Sequence, residues 1–213
     1  MKTAPQRVLC FGDSLIYGLR DSSTGERYPL EYRVHTLLQE LLGSAYITID
    51  EGLRSRTIAM DDPDKPDRNG FTYLRPCIES IEPNILILWL GTNNTKSRLE
   101  QTPQNMLEQF EQIHTWLLEK YPNTRIIIIP PPHIDTTHLN EKMASLFGIE
   151  AESKIIEYQK LLSNYCITNK LIYIQELESI SADTVDGIHL SIESNQIVAD
   201  AIANTINSLS NDL

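Results

Sequence analysis

Cysteine is scarce in this chain, and the three present, Cys10, Cys77 and Cys166, are odd in number and far apart. They offer neither a disulfide framework nor the paired spacing of a zinc site, so reduced, buried thiols in a reducing cytoplasm are expected. Positive charge is also short: 18 Lys and Arg against 29 Asp and Glu leave a formal net charge of -11. Such a surface repels nucleic acid and anionic lipid, and no basic patch interrupts it, so neither is expected as a partner. No stretch approaches the roughly 20 consecutive apolar residues that span a membrane. Met1-Lys2-Thr3-Ala4-Pro5 leads into a strand-like run with no apolar signal core or cleavage site. The 9 glycines and 11 prolines are scattered, so no linker divides the chain, and no segment repeats. The 213 residues are read as one domain with a single substantial core.

What is present is an alternation. Val8–Phe11, Tyr46–Ile49, Ile85–Leu90, Ile126–Ile129 and Leu171–Ile174 are short, β-branched, almost uninterrupted apolar runs, the pattern of strands buried on both faces. Amphipathic helices lie between them. Val34, Leu37, Leu38, Leu41 and Leu42 form one stripe, stopped by Gly43. Met106, Phe110, Ile113 and Leu117 form another, opened by Thr102-Pro103. Ile155, Tyr158, Leu162 and Tyr165 mark a third, and Val198, Ile202, Ile206 and Leu209, with Ser191 as cap, mark the last. A weaker helical pattern covers Tyr73 to Ile81. The alternation predicts an α/β fold: three layers, α/β/α, around a five-stranded parallel sheet. Ligands of such open sheets bind beyond the carboxyl ends of the strands, which tests every candidate motif.

Four segments pass that test. Phe11-Gly12-Asp13-Ser14-Leu15 follows the first strand and presents Ser14 at its carboxyl end. Taken alone, such a serine is better explained as a helix cap. It lacks a G-x-S-x-G elbow, because Ile16 holds the last glycine position, and no Gly-Lys-Ser/Thr follows to make a phosphate loop. Asp186-Gly187-Ile188-His189 precedes the last helix. A hydroxyl becomes a useful nucleophile only when a base takes its proton, and an imidazole held by a carboxylate supplies that base. Three residues of separation let Asp186 and His189 meet across one turn, although alone the pair reads equally as a loop Asp beside a surface His. Glu51-Gly52-Leu53 and Gly91-Thr92-Asn93-Asn94 follow the second and third strands. They offer backbone N–H and amide donors for the negative charge that acyl transfer develops on a carbonyl oxygen. Each is an ordinary turn by itself, and the combination carries the inference.

With these segments in order, the sequence resembles the GDSL-type hydrolases of the SGNH group, and most closely their arylesterase and acyltransferase branch. Gly12-Asp13-Ser14-Leu15, Glu51-Gly52-Leu53 with Arg56-Thr57, Asp61-Asp62-Pro63, Asn69-Gly70, Leu90-Gly91-Thr92-Asn93 and Asp186-Gly187-Ile188-His189 carry the resemblance. It implies a flavodoxin-like SGNH hydrolase fold and a serine esterase acting on short-chain or aryl carboxylic esters without a cofactor. Ser14 would attack the ester carbonyl, His189 would act as base and then acid, and Asp186 would orient His189. The Ser14 and Gly52 N–H groups and the Asn93 amide would bind the oxyanion, with Asp13 holding the turn. The acyl-enzyme would pass to water, or to an alcohol or peroxide. The branch also implies oligomerisation, with the segment from Asp61 to Gly70 either a surface excursion or a subunit contact. Two positions depart from the pattern: Asn94 stands where the family usually has Asp, and Arg54 where the branch carries a small residue. Arg54 would narrow the acyl pocket, recruit an anionic substrate, or, the reading favoured for a single arginine, pair with a nearby carboxylate. Tyr17 and Ile188 are further candidates for pocket walls.

Two other readings compete. His133, Asp135 and His138 after the fourth strand are the residue types of a metal-dependent hydrolase, although Pro130-Pro131-Pro132 precedes them and no helix fixes their spacing. A catalytically inert binding module would lack a triad member, and none is lacking. Within the family, a thioesterase or lysophospholipase would differ in its acyl and leaving-group pockets. His35 and His114 lie within helical patterns and are given no role.

Overall fold

The computed structural model describes residues 4–211. Met1, Lys2 and Thr3, read above as the lead into the first strand, lie outside the described residues. In chain order the elements are β1 (Gln6–Gly12), α1 (Ser14–Tyr17), β2 (Leu19–Asp21), β3 (Glu26–Arg27), α2 (Val34–Leu42), β4 (Tyr46–Gly52), α3 (Gly70–Ile81) and β5 (Ile85–Trp89). There follow α4 (Pro103–Lys120), β6 (Arg125–Ile128), α5 (Glu141–Phe147), α6 (Ala151–Thr168), β7 (Ile172–Tyr173) and α7 (Ile192–Asn211).

Side chains alternate across a strand, so a strand apolar at every position must be covered on both faces. Val8 and Cys10 of β1, with Ile85 and Ile87 of β5, face α2 and α7 through Val34, Leu38, Val198 and Ile202. Leu9 and Phe11, with Leu86 and Leu88, face α3, α4 and α6 through Leu74, Ile78, Phe110, Ile113 and Leu162. The sheet runs β4-β1-β5-β6-β7, and every pairing within it is parallel. After β1 the chain crosses to one side and β5 returns on the other. The resulting switch point opens a crevice beyond the carboxyl ends of β1 and β5.

The helix signals behave as their chemistry requires. Thr102 and Asn105 close a capping box around Pro103 at the start of α4, Gly43 ends α2 at φ 64°, and Ser191 Oγ accepts from Ser194 N at 3.1 Å. Two expectations need correction. Helix α3 begins at Gly70 rather than Tyr73, because Asn69 caps it by accepting from Thr72 N at 3.2 Å, a start the apolar pattern does not mark. Cys77, expected to be buried, is only half-buried, whereas Cys10 and Cys166 are buried. The polar segment from Asp61 to Gly70 is largely exposed, with Asp62 as its anchor, fully buried against Arg98.

Candidate active site

Helix α1 is a single turn, and its start is set by Asp13, whose Oδ1 accepts from Leu15 N at 3.0 Å. That cap leaves Ser14 as the first helical residue, directly beyond β1. Ser14 Oγ lies 2.9 Å from His189 Nε2, and His189 Nδ1 lies 2.7 Å from Asp186 Oδ2. In the neutral imidazole this network puts the proton on Nδ1, facing the carboxylate, and leaves Nε2 to accept from the Ser14 hydroxyl. All three side chains are buried.

Asp186 does two jobs at once. Its Oδ1 accepts from Ile188 N at 3.0 Å and His189 N at 2.9 Å, closing the turn, while Oδ2 takes His189 Nδ1–H and Ser22 N at 3.0 Å. The turn-forming aspartate and the histidine-orienting one, alternatives in sequence, are the same group. Burial raises its pKa, but the bonds from His189 and Ser22 and the facing imidazole outweigh it, and the carboxyl is held well below its usual range. Gly187 completes the turn at φ 73°, where a Cβ would lie 2.5 Å from Asp135 O.

Asn93 follows β5, and its Nδ2 donates to Asp13 Oδ2 at 3.1 Å. An amide carries two donors, so one N–H remains for a substrate. Asn94 Oδ1 accepts from Ile58 N at 2.9 Å and its Nδ2 donates to Gln109 Oε1 at 2.9 Å. An amide at this position matches a donor with one end and an acceptor with the other. Arg56 ties the ends of β1 and β4 together by donating to Gly12 O at 2.7 Å and to Glu51 O, its guanidinium 4.0 Å over the Phe11 ring.

Ser14, His189 and Asn93 open on a pocket of about 140 Å³ that Arg54 and Ile188 also line. Gly52 and Tyr17 do not line it. Gly52 N donates to Asp50 Oδ1 at 2.9 Å, and a Cβ on Gly52 would fall 2.1 Å from Tyr17 N, so the glycine lets α1 lie against β4. The Tyr17 ring packs 3.7 Å beneath the Arg27 guanidinium. Ser55, outside the sequence expectations, lines the pocket with φ 66°, a left-handed conformation that a non-glycine residue adopts at a cost. Its side chain carries no mark of this in the sequence. Met143, Leu146 and Phe147 of α5 supply the apolar wall. Their spacing after the Asn140 cap, which accepts from Met143 N at 2.9 Å, is a short helical signature that the sequence does contain.

His133, Asp135 and His138 are not drawn together. His133 Nδ1 bonds Glu152 Oε1 at 2.6 Å, His138 Nδ1 bonds Asp135 Oδ2 at 2.7 Å, and among the described residues no three His, Cys, Asp or Glu side chains are placed to hold a metal ion. Arg54, for which a carboxylate partner was favoured, has none within ion-pair distance among the described residues. No helix among the described residues is long and apolar enough to cross a membrane.

Hydroxyl, imidazole and carboxylate in hydrogen-bonded series at the switch point of a doubly wound sheet define a serine hydrolase. The chain belongs to the GDSL-like lipase/acylhydrolase family, whose model matches residues 10–197, and it is a carboxylic ester hydrolase. A carbohydrate acetylesterase of Sinorhizobium meliloti is similar at 31% identity and TM-score 0.87, covering 96% of this chain and 99% of its own. An aryl esterase of M. smegmatis is similar at 29% identity and TM-score 0.86, with coverage of 96% and 99%. A lipase/acylhydrolase of Enterococcus faecalis shares the fold at 17% identity and TM-score 0.72, with coverage of 95% and 96%. No curated protein matches the chain by sequence.

Proposed function

We propose that this esterase cleaves small carboxylic esters through a Ser14 acyl-enzyme. The observation that carries the assignment is the buried series from Ser14 Oγ to His189 Nε2 at 2.9 Å and from His189 Nδ1 to Asp186 Oδ2 at 2.7 Å. Ser14 Oγ attacks the ester carbonyl as its proton passes to His189 Nε2, and Asp186 stabilises the imidazolium. The imidazolium then protonates the departing alkoxide. Water, deprotonated by His189, releases the acid, and an alcohol or peroxide reaching the same position would be acylated instead.

The oxyanion is bound by the Ser14 N–H, the free N–H of Asn93 Nδ2 and the Ser55 N–H. The Ser55 N–H replaces the Gly52 N–H as the second backbone donor, because Gly52 N is taken by Asp50 and Ser55 borders the pocket. A pocket near 140 Å³ compares with the roughly 150 Å³ that accommodates benzene in an engineered cavity, which supports an acetyl-sized acyl group or a single aryl ring. The similar acetylesterase and aryl esterase agree with that size class. The three free cysteines suit a reducing compartment.

Hydrolysis of 4-nitrophenyl acetate by Ser14→Ala tests the assignment. Turnover should fall by about 10⁴-fold or more with the melting temperature unchanged, and a phosphonate should label the wild-type protein at Ser14. Turnover retained in Ser14→Ala would overturn it.

A further inference from the structure

The pocket around Ser14 is lined by Arg54, Lys65, Lys96 and Lys142, and no Asp or Glu lines it. This is contrary to the chain as a whole, where acids outnumber bases 29 to 18. The four cations come from four separate segments: the turn after β4, the turn from Asp62 to Lys65, the stretch after Asn93, and α5. Elsewhere among the described residues, five of the other thirteen Lys and Arg (Arg7, Arg20, Arg27, Arg98 and Lys154) stand within 4 Å of a carboxylate. Among the described residues none of the four pocket cations does. Lys142 Nζ donates to Ser22 O at 2.5 Å, and Lys96 Nζ lies 5.9 Å from the Phe147 ring centre. Lys96 is only 3% exposed, so a cation has been taken out of water at the edge of the site without an ion-pair partner.

We infer that the ester this site turns over carries a negative charge, a carboxylate or phosphate, which the ring of Arg54, Lys65, Lys96 and Lys142 receives. The inference rests on the Ser14 acyl-enzyme reading above. An anion in the pocket gives all four cations a direct ion-pair partner, beyond the longer-range attraction that Asp62 and Asp13 already exert on Lys96, and lies where low-dielectric walls strengthen each attraction. It also explains how an acidic protein captures an anion: the long-range field is repulsive, while the local field at the mouth is attractive and short in reach. Burial pushes Lys96 down to about 8, a displacement that a bound anion opposes. The apolar wall of Met143, Leu146 and Phe147 leaves room for the uncharged part of the same substrate.

Matched substrates test this and locate the charge. One pair, 4-acetoxybenzoate and its methyl ester, places the charge on the leaving group. The other, mono-4-nitrophenyl succinate and its methyl ester, places it on the acyl group. In one pair kcat/KM should favour the anion by about tenfold at low salt, a preference that shrinks in 0.5 M NaCl as the field is screened. Lys65→Gln/Lys142→Gln, both exposed, should cut that ratio by about fivefold, whereas Lys160→Gln on α6 should leave it unchanged. Because a ratio is read, a changed folded fraction cancels. A neutral preference in both pairs, or a ratio indifferent to both salt and the double substitution, overturns the inference. Those results with Ser14-dependent turnover intact would leave the esterase assignment standing, whereas turnover by Ser14→Ala would remove that assignment first.

Discussion

Asn93 Nδ2 donates to Asp13 Oδ2 at 3.1 Å across 80 residues of sequence, so a buried carboxylate sets the direction of the amide proposed to meet the oxyanion. The two residues follow β1 and β5, neighbouring strands of the sheet. Asp13 Oδ1 at the same time caps α1, placing Ser14. One side chain therefore fixes the spacing between Ser14 and the Asn93 amide. Burial pushes the Asp13 carboxyl up to about 6, against the opposing pull of Leu15 N–H and the cations Lys96 and Arg56.

Asp13→Asn keeps an acceptor for Leu15 N but turns an NH2 group toward the NH2 group of Asn93. We expect kcat for 4-nitrophenyl acetate to fall about 10- to 100-fold, less than the roughly 10²–10³ of losing an oxyanion donor outright, with KM little changed. Stability gives an independent readout. The folded pKa near 6 exceeds the ordinary 3.8, so this group's contribution is full below about pH 4 and is lost as pH rises through 6. The variant lacks that slope. Its melting temperature relative to wild type should therefore rise between pH 4.5 and 7.5.

The strands were legible because burial on both faces leaves an unbroken apolar run, and the meeting of Ser14, His189 and Asp186 because the three residues sit in short motifs at strand ends. What was not legible depends on contacts between distant segments or on backbone conformation. A lysine carries no sign of burial in sequence, yet Lys96 is buried, its ammonium 5.9 Å from the Phe147 ring of α5. Gly52 looked like a donor because a glycine exposes its N–H. The structure uses that bareness for the approach of Tyr17, which a sequence cannot register. Ser55 adopts φ 66° in a turn whose residues, Arg54 and Ser55, announce no left-handed position. Cys77 keeps an apolar helical spacing but flanks the buried stripe of Leu74 and Ile78 on α3, and it is only half-buried.

Asp186→Asn should separate orientation from folding. The amide retains an oxygen for the turn, but its NH2 group would face His189 Nδ1 and force the proton onto Nε2, away from the acceptor role toward Ser14. A kcat loss of about 10³–10⁴ with near-native KM is expected by analogy with the wrong-tautomer effect in serine proteases. The depressed carboxyl contributes stability that is present above the ordinary carboxylate range and is lost as pH falls through the folded value. Removing it should flatten the acid side of the stability profile below pH 4, as followed by urea midpoints.

Asn94→Asp restores the residue typical of the family and should nevertheless destabilise this chain. Asn94 is fully buried and donates to Gln109 Oε1, which also accepts from Ala59 N at 3.1 Å, while Gln109 Nε2 donates to Gln101 Oε1 at 2.7 Å. A carboxylate there faces an acceptor unless Gln109 turns over, and turning breaks both other bonds. Leaving one such buried group unsatisfied costs about 1–3 kcal/mol, readable by chemical denaturation. Asn94→Asp/Gln109→Ala, which removes the opposing acceptor, should lose less than the sum of the single changes.

Ser55 and Gly52 offer rival backbone donors for the oxyanion, and three substitutions distinguish them. Ser55→Gly keeps the N–H and relieves the left-handed strain, so kcat should stay within about threefold of wild type and stability should rise by about 1 kcal/mol. Ser55→Pro deletes the N–H and demands φ near -65° in place of 66°, so kcat should fall by about 10²–10³. The proline also disturbs the turn, which is why Ser55→Gly, sharing the position but not the lost donor, is its control. Gly52→Ala retains its N–H yet puts a Cβ against the backbone of Tyr17, 2.1 Å from its nitrogen, where no side-chain rotation gives relief. Helix α1 must then move, carrying Ser14 away from His189, and both activity and melting temperature should drop together. If Ser55→Pro were as active as Ser55→Gly, the donor would have to be sought elsewhere, and Gly52 N–H, released from Asp50, would regain the role.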